Sequence, residues 1–235
     1  MSEGPFRVVV FDWDGTLVDS IDAIVAAIRG AAADLGLEVP TREQASHVIG
    51  LGLREAIFTA VPSIDERQMD AFVACYKLHF FQRDPHLLPF DGIVGILDAL
   101  ADSDSWLAIA TGKSRLGLDR ALRKTGWKGR FVTSRCADEG SPKPAPWMLE
   151  DICAELGIAT AEALMVGDTT HDLGMARRAG SAAIGVSYGA HPRAALGTEP
   201  ALAVVDTVAQ LRAELMGRVG EHGADASEVC IHEVK

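Results

Sequence analysis

The chain has 235 residues, 48% hydrophobic and 23% charged, the balance of an ordinary globular protein long enough to bury a real core. Its 33 acidic residues against 22 Lys and Arg leave a formal net charge of −11. That balance argues against a general nucleic-acid or anionic-membrane binder, since both need an exposed basic field.

No apolar run approaches the roughly 20 residues that span a bilayer. The opening Met-Ser-Glu-Gly-Pro-Phe-Arg has no basic segment, long apolar segment or cleavage site, so a cytoplasmic location is expected. Cys75, Cys136, Cys153 and Cys230 are scattered, with no CxxC and no paired His spacing. Neither a zinc site nor a disulfide framework is signalled.

In chain order, Phe6 to Phe11 is a short β-branched apolar run, suited to a strand buried on both faces. The period then changes. Ile21, Ile24, Val25 and Ile28, continuing to Leu35, predict a helix with Gly36 at its C-terminal end. Thr41-x-x-Gln44 and Ser63-x-x-Glu66 read as capping boxes opening further helices. Met69, Phe72, Val73 and Tyr76 form another helical stripe. No strand is expected between Leu17 and about Pro89.

From Asp91 strands and helices alternate. Helices are expected over Ile93 to Leu100, Leu116 to Thr125, Pro144 to Leu156 and Leu173 to Ala179. Strands are expected at Trp106 to Ala110, weakly at Phe131-Val132, at Ala163 to Val166 and at Ala182 to Val186. A last pair follows, with a strand at Ala203 to Val205 and a helix at Thr207 to Leu215. Alternation of this kind implies crossover units. The expected fold is α/β, a Rossmann-like parallel sheet flanked by helices, with an inserted all-helical unit. Residues 1–16 and 90–216 would form the core, 17–89 the helical cap, and 217–235 a loosely held polar tail.

Sites in open parallel sheets form beyond the carboxyl ends of the strands. Asp12-Trp13-Asp14-Gly15-Thr16 follows the first strand, Thr111-Gly112-Lys113 the second, Ser141-Pro142-Lys143-Pro144 the third, and Gly167-Asp168-Thr169-Thr170-His171-Asp172 the fourth. Carboxylates, hydroxyls and lysine thus collect along one sheet edge. Such a set suits phosphoryl transfer through a covalent intermediate. Asp12 would attack phosphorus, and Asp14 would protonate the leaving oxygen and then deprotonate water. Magnesium on Asp12 and Asp168 would relieve the repulsion between nucleophile and phosphate. Thr111 and Lys143 would hold the phosphoryl oxygens.

Asp12-Trp13-Asp14-Gly15-Thr16-Leu17-Val18-Asp19 resembles the first signature, DxDGTLxD, of the haloacid dehalogenase superfamily of phosphohydrolases. Thr111, Lys143 and Gly167-Asp168-x-x-x-Asp172 resemble its other three motifs, in the same order. The likeness spans residues 6 to about 215, and the insertion is similar to the family's C1 cap. The whole looks most like the phosphoglycolate phosphatase branch. The resemblance implies that Asp12 is nucleophile and Mg2+ ligand and that Asp14 is acid/base and lends its carbonyl to the metal. It also implies that Asp168 is a ligand and that Asp172 supports the metal's shell. Thr16 and Gly112 would bind substrate, and the second aspartate favours phosphate esters over halides and phosphonates.

Plainer roles exist for each position. Strand-end aspartates cap turns, Thr111 could open a helix, Lys143 could be a solvated loop residue, and Asp172 could be a first-turn acid. His171 reads as structural. Thr111-Gly112-Lys113-Ser114 has Leu107 where a nucleotide P-loop needs glycine, and Gly50 to Glu55 fails the dinucleotide pattern. Gly50 to Arg54 instead reads as a cap turn over the site, with Arg54 able to grip a carboxylate or second phosphate. Lys113 and Arg115 could add positive potential.

The expected function is Mg2+-dependent hydrolysis of a small phosphorylated metabolite, phosphoglycolate foremost, by a monomer or homodimer. A sugar phosphomutase on the same core and a non-catalytic phosphate-binding protein are the alternatives.

Overall fold

The computed structural model describes residues 5–220. Six parallel strands are β1 (Val8–Phe11), β2 (Trp106–Thr111), β3 (Thr133–Cys136), β4 (Ala163–Gly167), β5 (Ala182–Val186) and β6 (Ala203–Val205). Their spatial order is β3-β2-β1-β4-β5-β6. The first strand is therefore central, with Val8 in register with both Trp106 and Ala163. All four residues of β1 are buried, which explains an unbroken apolar run where a one-sided strand would alternate.

The helices are α1 (Ile21–Asp34), α2 (Arg42–His47), α3 (Leu53–Ala60), α4 (Met69–Arg83), α5 (Ile93–Ala101), α6 (Arg115–Thr125), α7 (Trp147–Leu156), α8 (Thr170–Ala179), α9 (Arg193–Leu196) and α10 (Val208–Met216). Val9 and Phe11 join Ile96, Leu97, Leu118 and Leu211 on one face of the sheet. Val8 and Val10 join Met148, Ile152 and Leu173 on the other. Helices α1–α4 bury a third cluster, with Ile28, Ile57, Met69 and Phe72 at its centre.

Chain enters and leaves that helical body side by side. The Asp19 N–H donates to the Leu88 carbonyl at 3.0 Å and the Phe90 N–H to the Leu17 carbonyl at 3.1 Å. Two short paired segments thus join the helices to the sheet.

Several boundaries differ from the sequence reading. The third strand lies at Thr133–Cys136 rather than Phe131-Val132. It is an edge strand whose outer residues are only half-buried, so its ladder carries little apolar signal. Arg135 there pairs with Glu155 at 2.7 Å and also with Asp151. Helix α7 starts at Trp147 rather than Pro144, because a residue preceding proline is pushed out of the helical region and Ala145 precedes Pro146. The second capping box is Asp65 with Gln68 rather than Ser63 with Glu66, since the helical turn there begins only at Glu66. The Thr41–Gln44 box is present. Helix α8 begins at Thr170, three residues before the expected Leu173. Of the expected tail, 217–220 are tied to the core: the Phe6 N–H donates to the Arg218 carbonyl at 3.1 Å, and Val219 packs on the sheet. Residues 221–235, with Cys230, lie outside the described residues.

Candidate active site

The carboxyl ends of β1, β2 and β4 and the loop after β3 converge above the sheet. The Asp12 N–H continues the ladder to the Val166 carbonyl at 2.9 Å, which fixes the Asp12 side chain beyond the strand end. The chain then turns at Gly15, whose φ is +80°. A β-carbon there would lie 2.2 Å from Asp168 Oδ2, so only glycine fits both the left-handed backbone and the close approach.

Asp12, Asp168 and Asp172 each offer a carboxylate oxygen within 4.8 Å of the others, and none is more than 1% exposed. Lys143, fully buried, reaches in with Nζ 2.9 Å from Asp12 Oδ1 and 2.6 Å from Asp172 Oδ1. Asp12 Oδ1, Asp172 Oδ1 and the Lys143 ammonium have only one another, and the buried Asp12 Oδ2 has no partner among the described residues. Such an orphan is costly unless another partner engages it.

The remaining oxygens are held. Asp168 Oδ1 accepts from the Thr16 hydroxyl at 2.8 Å and Oδ2 from the Ala190 N–H at 2.7 Å. Asp172 Oδ2 accepts from the Thr169 N–H at 3.0 Å and its hydroxyl at 2.7 Å. Thr169 and Asp172 form the capping box of α8, so Asp172 serves the helix with one oxygen and faces the site with the other.

Burial pushes the Asp12 carboxyl up to about 7; the Lys143 charge opposes the rise and the charges of Asp172 and Asp14 add to it. Burial, with the charges of Asp12 and Asp172, lifts Asp168 well above the carboxylate range. Burial alone would lower the Lys143 pKa, but its two carboxylate partners override this and raise it. Three buried acids therefore share one buried cation. The oxygen-only donor set, the unpartnered Asp12 oxygen and the excess negative charge fit a hard divalent cation such as Mg2+.

Asp14 stands apart from this group. Its Oδ1 accepts from the Ser20 hydroxyl at 2.6 Å, and its Oδ2 lies 3.0 Å from Lys113 Nζ. Thr111 is buried at the end of β2 and accepts from the Lys113 N–H at 3.2 Å. Gly112 carries the turn from Gly50 to Leu51: a β-carbon at 112 would lie 2.6 Å from the Leu51 carbonyl oxygen and 2.7 Å from that of Gly50.

Two candidates lie elsewhere. Arg54, in the first turn of α3, pairs with Glu66 and lies 3.8 Å from Asp70, with its side chain 52% exposed. Arg115 pairs with Glu139 at 2.8 Å and bonds Ser134. Neither pairs with Asp12 or Asp14. His171 packs with His47 and His191, and both His171 Nε2 and His191 Nε2 meet the His47 carbonyl, at 3.1 and 3.0 Å. Burial lowers both rings, His191 to about 4. Ser20 and Ala190 carry no sequence signal of their own, since a serine hydroxyl and a backbone N–H become partners only through the fold.

A cavity of about 430 Å³ opens above Asp12 and Asp14, walled by α1, α4, the 48–53 turn and the start of α6.

A central parallel sheet, an aspartate pair after its first strand, and a lysine and two further aspartates from later loops define a hydrolase class. The family model of haloacid dehalogenase-like hydrolases matches residues 9–186, and the chain belongs to that family. It is an enzyme of the phosphatase type. It is 37% identical to "Probable phosphatase IndB" of Dickeya dadantii over 86% of this chain and 90% of that protein. It is 29% identical to the phosphoglycolate phosphatase of Agrobacterium fabrum, over 93% and 96%. The crystal structure of a hydrolase from Pseudomonas syringae superposes with a TM-score of 0.83 at 22% identity, covering 92% of this chain and all of that one.

Proposed function

We propose that the protein is a Mg2+-dependent phosphatase that hydrolyses a small phosphomonoester through an aspartyl phosphate on Asp12. The observation that carries this reading is the buried Asp12 carboxylate, whose Oδ1 meets only Lys143 and whose Oδ2 has no partner among the described residues, at the floor of a cavity that Asp14 also lines.

Mg2+ would be held by Asp12, Asp168 and the Asp14 carbonyl with Asp172 beside them, and when bound it supplies positive charge against which a carboxylate and a phosphate dianion can meet. An Asp12 oxygen attacks phosphorus, and the bond from phosphorus to the ester oxygen breaks. Asp14 gives its proton to that departing oxygen, so the alcohol leaves neutral. Asp14, now a carboxylate, takes a proton from water as the water oxygen attacks the same phosphorus. Phosphate departs and Asp12 is regenerated.

Lys143 keeps a fixed positive charge beside Asp12 throughout, and Thr111 and the 111–113 turn bind phosphoryl oxygens. Ser20 and Lys113 orient Asp14. The helical body of residues 17–89 acts as the cap, excluding bulk water from the intermediate. A cytoplasmic location belongs to the same proposal.

The test is release of inorganic phosphate from a panel of phosphomonoesters with Mg2+ and with EDTA. Turnover that needs Mg2+ supports the reading. Release unaffected by EDTA, or isomerised sugar phosphate in place of free phosphate, contradicts it.

A further inference from the structure

The cavity walls are unlike the floor. Ile24 and Ile28 of α1, Val48 and Leu51 of the cap turn, and Tyr76 and Phe80 of α4 surround the space above Asp14. Among these six side chains only Tyr76 has a polar atom, and its hydroxyl makes no hydrogen bond to the described residues. The Tyr76 and Phe80 rings stack at 5.9 Å with 15° between their planes, and both residues line the cavity.

A two-carbon acid such as glycolate needs a cation inside the cavity to meet its carboxylate. Lys113 is the cation beside the floor, 3.0 Å from Asp14 and 5.1 Å from the centre of the Phe80 ring. Arg120 is tied to Asp84 at 2.9 Å and stacked on Phe81. Arg54 is not on the lining. Lys77 and Arg123 are exposed on the lining, placed to attract an anionic ester on its way in. A sugar needs several donors and acceptors for its hydroxyls, and apolar walls leave such groups unpaired.

We infer that the substrate is a phosphomonoester of an apolar alcohol, one with an aromatic ring or a branched hydrocarbon body, seated between the α1 isoleucines and the Tyr76–Phe80 wall. This deepens the phosphatase reading and rests on it. Recognition would divide between the two ends: the floor takes the phosphate, and the walls take hydrocarbon at about fourfold in binding per methylene buried.

The decisive comparison uses ethyl phosphate, 2-phenylethyl phosphate, phosphoglycolate and glucose 6-phosphate with the full-length protein and Mg2+. The ethyl and phenylethyl alcohols leave with similar ease, so kcat/KM between them reports the walls. We expect 2-phenylethyl phosphate to exceed ethyl phosphate by about 100-fold and to exceed both phosphoglycolate and glucose 6-phosphate. Phe80→Asn should cut the phenylethyl-to-ethyl ratio about tenfold. Preference for phosphoglycolate or glucose 6-phosphate, or equal values throughout, overturns the inference and leaves the phosphatase reading standing. If no ester releases phosphate, that reading falls, and calorimetry still decides the pocket. Tighter binding of 2-phenylethylphosphonate than of phosphonoacetate supports apolar walls; the reverse order overturns them.

Discussion

The Lys143 ammonium sits between two carboxylates, 2.9 Å from Asp12 and 2.6 Å from Asp172, and all three side chains are sealed from solvent. Removing one partner of a buried ion pair leaves uncompensated charge, at a cost of about 3–5 kcal/mol. Lys143→Met should therefore lose turnover and unfold earlier in urea when EDTA is present. Added Mg2+ should recover much of the lost stability, since it brings positive charge to the same acids. An unchanged urea midpoint would show that Lys143 does not balance the cluster.

Stability of the metal-free protein should fall as pH rises. Asp12 has a folded pKa of about 7, above its ordinary value of about 3.9, and Asp168 is raised too. Between those values the native state binds more protons than the unfolded one, so unfolding free energy declines with pH. The stabilisation is complete below pH 4 and is lost by the time pH passes 7. Urea midpoints measured in EDTA from pH 4.5 to 7.5 should drop. Asp12→Asn should flatten the curve, and Mg2+ should oppose the drop at the upper end.

Asp14 is held by Ser20 and Lys113 at the cavity floor. As general acid it matters in proportion to the proton its leaving group needs. Asp14→Asn should lower kcat on ethyl phosphate by about 10² to 10⁴. Its effect on 4-nitrophenyl phosphate should be much smaller, because nitrophenolate departs unprotonated. Equal losses on both esters would remove Asp14 from that role.

The cap turn and Arg54 make opposite predictions. Gly112→Ala would drive a methyl into the Gly50 and Leu51 carbonyl oxygens, so the turn must lift, and KM should rise. Arg54→Ala deletes only exposed pairs with Glu66 and Asp70, worth about 0–1 kcal/mol. It should leave relative kcat/KM values across the ester panel unchanged. A change of preference in the Arg54 variant would return that residue to the site.

What the sequence made legible follows from how local each signal is. Strand β1 announced itself because a doubly covered strand needs an unbroken apolar run, and Asp12, Asp14, Lys143, Asp168 and Asp172 all follow strands or loops on one sheet edge. Their convergence depends only on topology. The direction of Arg54 on α3 carries no local signal, because its partners Glu66 and Asp70 arrive from later turns of chain. Edge strand β3 was shifted because Arg135 and Thr133 satisfy it through α7 rather than through apolar burial. Ser20 and Lys113 gain their meaning from Asp14, across 6 residues for one and across the helical insertion, α5 and β2 for the other. Ile24, Ile28 and Tyr76 of the apolar walls belong to the helical stripes, but stripes do not say whether they close on each other or around a ligand.

Phosphorus bonded to the Asp12 side chain is the event on which the chemistry depends. Protein mixed with an ester labelled in its phosphate, quenched in acid within the first turnover and digested, should carry label on the peptide containing Asp12. The label should be released by hydroxylamine and be absent in Asp12→Asn. Label-free peptide during active turnover, or label retained in the Asn variant, would contradict the account.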